Sequence, residues 1–254
     1  MQAVAHHSRN RFATVTTFVT TGQSAFPTLG GSRICVEIEN METAVAHLRT
    51  CDPVLAGIIE RVGPFRMSYR EPAFASLARS IVFQQLNGKA ALTIWNRLAE
   101  KAGSPVTPQA VMKLRMPTLR KIGLSRQKAG YLRDLARRAA AGEIDFEGLS
   151  SLRDDDVVAA LTQVKGIGVW TAHMFLMFAL RRENVLPTGD YGIRAAMQRA
   201  YRLRKMPEPK RMQKIAKAWH PYCSIACWYL WRSLDAASAE KSMVEAAAPL
   251  AIEI

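Results

Sequence analysis

The chain contains few acidic residues, few cysteines and no long apolar run. Only 21 Asp and Glu residues stand against 35 Lys and Arg, so the formal net charge is +14. The four cysteines (Cys35, Cys51, Cys223 and Cys227) form no paired CxxC units. This pattern excludes a disulfide framework and fits a reducing compartment. No uncharged apolar run reaches about 18 residues, which excludes a membrane-spanning helix.

The excess positive charge is unevenly distributed along the chain. Residues 113–128 carry six Lys and Arg without an acid, and residues 194–217 carry nine against Glu208 alone. Acidic residues instead gather between positions 134 and 156. We interpret this as a basic face that favours a polyanion, either nucleic acid or an acidic membrane surface. Individual basic residues can equally be solvated positions on helices.

The patterning divides the chain into three parts. Residues 1–38 are rich in Thr, Ser, Gly and His and predict a disordered or short extended segment, with a short strand at 33–39 where Ile34, Val36 and Ile38 alternate with polar residues. Residues 39–235 have a helical period and predict one globular domain. Residues 236–254 are rich in Ala and Ser and predict a C-terminal tail whose helix frays.

The helical period predicts an all-α domain with two helical lobes around a cleft. Asp52, Thr107 and Ser125 are suitable N-caps. The predicted helices are 41–49, 52–62, 72–84, 88–102, 108–114, 117–122, 126–141, 154–163, 169–181, 190–203, 209–218 and 222–234.

The most informative segment is residues 161–172, LTQVKGIGVWTA. Gly166 and Gly168 predict a tight hairpin between two helices, because glycine adopts positive φ at little cost. The amides around Gly166, Gly168 and Thr171 then lie at a helix N-terminus, where a phosphate could bind. Further along, PTGD places the Asp190 carboxylate near the start of the next helix. By itself, Asp190 could simply cap that helix.

Four ordered motifs resemble the helix–hairpin–helix DNA glycosylase superfamily, and within it the DNA-3-methyladenine glycosylase II group. They are SIVFQQLNGKA (80–90), GLSxxK (123–128), KGIGVWTA (165–172) and LPTGDY (186–191). The resemblance extends from about residue 74 to residue 231. It implies that the β-rich N-terminal domain of longer members is absent or reduced in this chain.

The resemblance implies hydrolysis of the N-glycosidic bond of a damaged base flipped from duplex DNA. A purine alkylated at N3 or N7 is cationic and already a good leaving group, so one anion beside an oxocarbenium-like sugar is the main requirement. Asp190 is the candidate catalytic residue, which stabilises that cation and orients or deprotonates water. Two alternatives stay open: a bifunctional glycosylase/lyase for oxidised or mismatched bases, and a non-catalytic DNA-binding module.

The resemblance also implies a base pocket, a wedge and a DNA-binding hairpin. Trp170 and Trp231 occupy base-stacking positions, Met174 stands where relatives often have an aromatic residue, and His173 is an adjacent candidate. Core packing is the competing role for either tryptophan. Leu86, and after it Asn87, would fill the space left by the flipped base, unless Leu86 is buried in the helix corner. The expected DNA contacts are Gln84, Gln85, Lys165, Gly166, Gly168 and Thr171.

The same resemblance predicts the subclass and its cofactors. Bifunctional relatives carry a hairpin lysine two positions after the second glycine, where this chain has Trp170, so we predict a monofunctional enzyme with water as nucleophile. Relatives bind a monovalent cation through hairpin carbonyls, which correspond here to Thr162, Val164 and Ile167. Cys223 and Cys227 are too few for an iron–sulfur cluster. We expect a monomer that acts on double-stranded DNA with alkylated bases and lies in the cytoplasm or nucleus, neither secreted nor membrane-bound.

Overall fold

The computed structural model describes the backbone of residues 31–247 and the side chains of residues 41–235. The described part of the chain contains α-helices and 3₁₀ turns and no strand. The helices are α1 (Gly31–Cys51), α2 (Pro53–Val62), α3 (Phe74–Phe83), α4 (Gly88–Ala102), α5 (Pro108–Lys113), α6 (Met116–Lys121), α7 (Arg126–Ala140), α8 (Asp154–Thr162), α9 (Val169–Phe178), α10 (Tyr191–Ala200), α11 (Pro209–Ala216) and α12 (Cys223–Ala247). Two 3₁₀ turns occupy Gly148–Ser151 and Lys217–Trp219.

The all-α prediction is confirmed, but the strand predicted at 33–39 and the end predicted for the last helix are wrong. The strand expected at 33–39 is part of α1. An isolated strand cannot satisfy its own backbone hydrogen bonds and residues 31–247 offer no partner strand, whereas a helix satisfies them internally. Helix α12, predicted to end at residue 234, continues to Ala247. The predictions for residues 1–30 and 248–254 lie outside the described residues.

The helices form two groups around a shared core. One group contains α3 to α9, in which α7 packs against α3, α5 and α6. The other contains α1, α2 and α10 to α12, in which α12 packs against α2 and α10. Contacts between α3 and α9 bring the hairpin after α8 close to the loop after α3. The buried core runs from Ala44 to Leu230.

Three predicted N-caps fix helix starts. Asp52 accepts hydrogen bonds from the first-turn amides of α2, Thr107 accepts one from Ala110, and Ser125 accepts one from Lys128. Each cap satisfies an amide that has no partner within the helix. Within the described residues, no helix combines the length and the apolar character that crossing a bilayer requires.

Candidate active site and nucleic-acid interface

A cleft of about 850 Å³ opens between the two helix groups. Its walls come from the loop at 66–70, the end of α3, the start of α7, the hairpin, α9 and α12. Basic side chains line much of it (Arg66, Arg70, Arg79, Lys128 and Arg232). The guanidinium of Arg79 lies 3.9 Å from the centre of the Phe83 ring. Burial, reinforced by neighbouring Arg70, lowers the pKa of Arg79.

Asp190 is a buried carboxylate held by three N–H donors. It is the N-cap of α10 and is 7 % exposed. Its Oδ1 accepts hydrogen bonds from the Ile193 amide at 2.7 Å and from Trp231 Nε1 at 3.0 Å. Its Oδ2 accepts one from Trp170 Nε1 at 2.7 Å. The residue therefore caps the helix and is also fixed between two indoles that line the cleft.

One face of α9 and one side chain of α12 form an aromatic wall. Trp170, Met174 and Phe178 recur every four residues and all line the cleft. Trp231 stacks on Phe178 with 5.9 Å between ring centres and 25° between planes. Phe178 was missing from the sequence-based pocket, although its spacing from Trp170 and Met174 signalled it. A planar ligand could stack only on the ring faces that neighbouring side chains leave uncovered.

Gly192 allows the carboxylate and the α12 indole to approach each other. A Cβ atom at Gly192 would lie 3.1 Å from Trp231 Cδ1 and 3.2 Å from Asp190 Oδ1. Both distances are tighter than ordinary contacts, so a side chain at this position would displace one of the two groups.

The structure does not place His173 in the cleft. A step of one residue turns a helix by about 100°, so His173 points away from the face that carries Met174. The side chain is half-buried, and burial lowers its pKa, opposed by the charges of Asp154 and Asp155 in α8. Trp228 of α12 is 8 % exposed and forms part of the cleft lining.

The hairpin between α8 and α9 depends on two glycines for different reasons. Gly166 has φ +83°, and a Cβ there would collide with the Tyr131 ring. Gly168 is the N-cap of α9, has ordinary backbone geometry, and has open space where a Cβ would lie. No side-chain hydrogen bond caps the first-turn amides of α9. Thr171 contributes an amide to this turn while its side chain is buried.

Lys165 lies on the outer side of the hairpin. It is exposed, and its amide donates a hydrogen bond to Asp134 Oδ2 at 2.9 Å. Burial alone would raise the pKa of Asp134, but hydrogen bonds from this amide and two arginines outweigh it and lower the pKa. The Lys165 side chain borders a depression of about 430 Å³ with Arg126, Arg133 and Arg137.

The loop at 84–87, between α3 and α4, presents Leu86 to solvent. Leu86 is 40 % exposed and is not packed into the helix corner. Gln85 before it has φ +54°, which turns the chain outward. The Asn87 side chain accepts a hydrogen bond from the Ala90 amide and caps α4. Gln84 donates to the Gly166 carbonyl at 2.8 Å, which joins this loop to the hairpin.

A family model described as HhH-GPD superfamily base excision DNA repair protein matches residues 78–221. This range contains the 84–87 loop, the glycine hairpin and Asp190. The chain belongs to this superfamily. DNA-3-methyladenine glycosylase 1 of Schizosaccharomyces pombe is 32 % identical over 77 % of this chain and 89 % of its own length.

Solved HhH-GPD relatives share the fold. A 3-methyladenine DNA glycosylase of Schizosaccharomyces pombe in complex with abasic DNA has a TM-score of 0.67 and 32 % identity, over 75 % of this chain and 95 % of that chain. A DNA-3-methyladenine glycosidase of Bacillus halodurans has a TM-score of 0.70 and 32 % identity, over 80 % and 95 %. The all-α architecture with a central cleft is therefore that of the HhH-GPD proteins.

The hairpin carbonyls predicted to bind a cation have a suitable chemistry. Thr162 ends α8, where carbonyl oxygens lack partners within the helix. The Val164 carbonyl accepts a hydrogen bond from the Ile167 amide at 3.0 Å, which closes the turn and leaves a second lone pair on that oxygen. A set of backbone oxygens suits a monovalent cation.

Two cysteines of α12 lie in the core. Cys223 and Cys227 are buried on α12, and burial raises the pKa of Cys223 to about 12. Among the residues that the structure describes, no three His, Cys, Asp or Glu side chains are grouped to hold a metal ion.

Proposed function

We propose that this protein is a DNA glycosylase that removes alkylated purines of the 3-methyladenine type from duplex DNA by hydrolysing the N-glycosidic bond. One observation carries the proposal: the Asp190 carboxylate accepts hydrogen bonds from the indole N–H groups of two tryptophans that line the aromatic cleft. The relatives named as DNA-3-methyladenine glycosylases support the substrate class.

The chemistry follows from the position of the carboxylate. The N-glycosidic bond is shielded inside the base stack, so the nucleotide must leave the duplex and enter the cleft. An alkylated purine departs as a neutral base, and the positive charge shifts to the sugar as the bond breaks. Asp190 supplies the anion that stabilises this charge and orients the attacking water.

The aromatic wall would recognise the flipped base. A cationic purine gains about 0.5–2 kcal/mol on each aromatic face that it covers. Trp231 is covered on one side by Phe178, so a base would use its other face. Met174 would provide an adaptable contact where a ring would be more restrictive.

The duplex would be bound at two loops. The exposed Leu86 would fill the gap left by the flipped nucleotide, and the α9 amides at Gly168 would bind a phosphate. A monovalent cation held by the Thr162, Val164 and Ile167 carbonyls would add positive charge beside that phosphate. The arginines of the cleft suit neighbouring phosphates, so affinity should fall with salt.

We infer a monofunctional enzyme. The position used by lyases for a Schiff-base lysine is Trp170, whose indole N–H is already bound to Asp190. We further propose that the enzyme acts as a monomer without an iron–sulfur cluster, in the compartment that contains the genome.

The test is base release from methylated duplex DNA by the protein and its Asp190→Asn variant. We expect chromatography to detect free 3-methyladenine with the native chain and not with the variant, while both bind abasic DNA. Release by both proteins would remove Asp190 from the mechanism. Release by neither, with DNA binding intact, would overturn the proposed substrate class.

A further inference from the structure

Lys128 connects α7 to the end of α3. Its ammonium donates hydrogen bonds to the Val82 carbonyl at 2.8 Å and to the Gln84 carbonyl. Both carbonyls lie at the C-terminal end of α3, where no amide of the helix donates a hydrogen bond to them. This end of the helix also carries the negative end of the helix dipole. A cation at this position stabilises the α3 terminus and fixes where the 84–87 loop begins.

Gln84 connects the same loop to the hairpin. Its side-chain amide donates to the Gly166 carbonyl at 2.8 Å, across 82 residues of sequence. Gln84 is thus held at both ends, with its own carbonyl bound to Lys128 and its side chain bound to the hairpin. The two loops cannot shift relative to each other without breaking one of these bonds.

The hairpin also rests on α7. The Tyr131 ring packs under Gly166 so closely that only glycine fits there. One turn later, Asp134 accepts a hydrogen bond from the Lys165 amide. Lys128, Tyr131 and Asp134 recur every three residues and lie on neighbouring positions of one helix face. One face of α7 therefore supports both loops.

We propose that Lys128 is a positioning residue that, together with Gln84, holds the Leu86 loop in register with the hairpin so that both loops engage one duplex as a unit. The inference rests on the proposed function. It assigns the lysine of the GLSxxK motif a role in base flipping, distinct from the chemistry at Asp190.

The geometry argues against Lys128 as a nucleophile. An ammonium has three donors, and two of them are bound to carbonyls. No carboxylate forms an ion pair with Lys128 among residues 41–235. Burial lowers the pKa of Lys128, because desolvation disfavours the charged ammonium and no neighbouring carboxylate opposes this shift.

The test compares Lys128→Met, Lys128→Arg and Lys101→Met, a control that removes an exposed positive charge at the end of α4. Three properties that do not require base release are measured first: thermal stability, affinity for undamaged and abasic duplexes, and fluorescence of 2-aminopurine placed beside an abasic analogue. Single-turnover base release is measured on methylated DNA. The fluorescence and affinity measurements do not depend on base release, so they test Lys128 even if the proposed substrate is wrong.

We expect Lys128→Met to lower base release and the abasic-duplex fluorescence response about tenfold or more, with affinity for undamaged duplex within twofold of the native value. Lys128→Arg should restore most of the loss, because a guanidinium can donate to both carbonyls. Adding Gln84→Ala to Lys128→Met should cause little further loss, since both act on one loop.

Three results would overturn the proposal. If a folded Lys128→Met variant kept the native 2-aminopurine response and the native rate of base release, Lys128 would have no positioning role. Equal losses in stability and in binding to both duplexes would reduce Lys128 to a general structural residue. Covalent trapping of the native protein on abasic DNA by borohydride, lost in Lys128→Met, would make it a nucleophile instead.

Discussion

Two buried aspartates in this protein have nearly the same local chemistry and different surroundings. Asp52 and Asp190 are each 7 % exposed, and each caps a helix. Each accepts an indole N–H: Asp52 from Trp219 at 2.8 Å, and Asp190 from Trp170 at 2.7 Å. A second aromatic donor completes each set, Tyr201 for Asp52 and Trp231 for Asp190.

The difference lies in what the aromatic donors face. Trp219 is fully buried, so the Asp52 cluster is closed and joins α2 to the end of α10. Trp170 is 48 % exposed and lines the cleft, so the Asp190 cluster faces a space that a nucleotide could enter. Similar bonds therefore serve stability at one site and, in our proposal, catalysis at the other. Both clusters hold α10, one at each end.

The largest expected effect separates the two carboxylates by activity. Asp190→Asn keeps a capping oxygen but removes the anion, so base release should fall by about 10²–10³-fold. Single-turnover assays on methylated DNA measure this, with abasic-DNA binding as the control for folding. Retained activity would show that the two aspartates do not differ in function.

Asp52→Asn should produce the opposite result. The new NH₂ group would face the Tyr201 and Trp219 donors and could not accept their hydrogen bonds. Because these buried donors would lose their acceptor, the free energy of unfolding should fall by about 2–4 kcal/mol. Base release at a temperature where the variant is folded should stay within a few-fold of the native rate. Urea unfolding and the same release assay check both expectations; a rate loss as large as that of Asp190→Asn would contradict the comparison.

The tryptophan donors should divide in the same way. Trp170→Phe removes one N–H from Asp190 and should slow base release about tenfold, because a hydrogen bond to a charged group contributes about 1.5–3 kcal/mol. Trp219→Phe should instead lower the free energy of unfolding by about 2–3 kcal/mol through lost packing and one lost bond. If Trp170→Phe affected stability alone, its indole would have only a structural role.

Gly192→Ala tests how tightly the Asp190 cluster is packed. The new methyl group would displace Trp231 or Asp190, so we expect a loss of a few-fold in base release. Stability should hold or rise, since alanine favours a helix over glycine by about 1 kcal/mol. Gly57→Ala on α2, where a Cβ meets only an ordinary contact, is the matched control and should leave the release rate unchanged.

The smallest expected effect is a loss of stability at alkaline pH that arises from Tyr201 in the Asp52 cluster. Burial, followed by the hydrogen bond to Asp52, raises the pKa of Tyr201 above its ordinary value. The folded protein then holds a proton that the unfolded chain releases, so stability should fall as pH rises above about 10. Unfolding titrations should show a shallower decline in Tyr201→Phe. Identical slopes would exclude Tyr201 as the cause.

Helix positions were largely predictable from local signals. Ser125 and the apolar period of the following segment placed α7 within one residue of its observed end. The signal failed at 33–39, where alternation suggested a strand although residues 31–247 contain no strand that could pair with it. It also failed for His173, because adjacency in sequence places a helical side chain on another face.

The sequence alone determined the helices, the glycine hairpin, the exposed basic character and the carboxylate at Asp190, since each depends on local conformational preference or charge. Only the tertiary structure decided that Asp190 meets indoles 20 and 41 residues away, that Phe178 backs Trp231, and that Lys128 and Gln84 join two distant loops. Such contacts depend on how helices pack across the core, and that packing is a sum of many weak, non-local interactions that no short segment encodes.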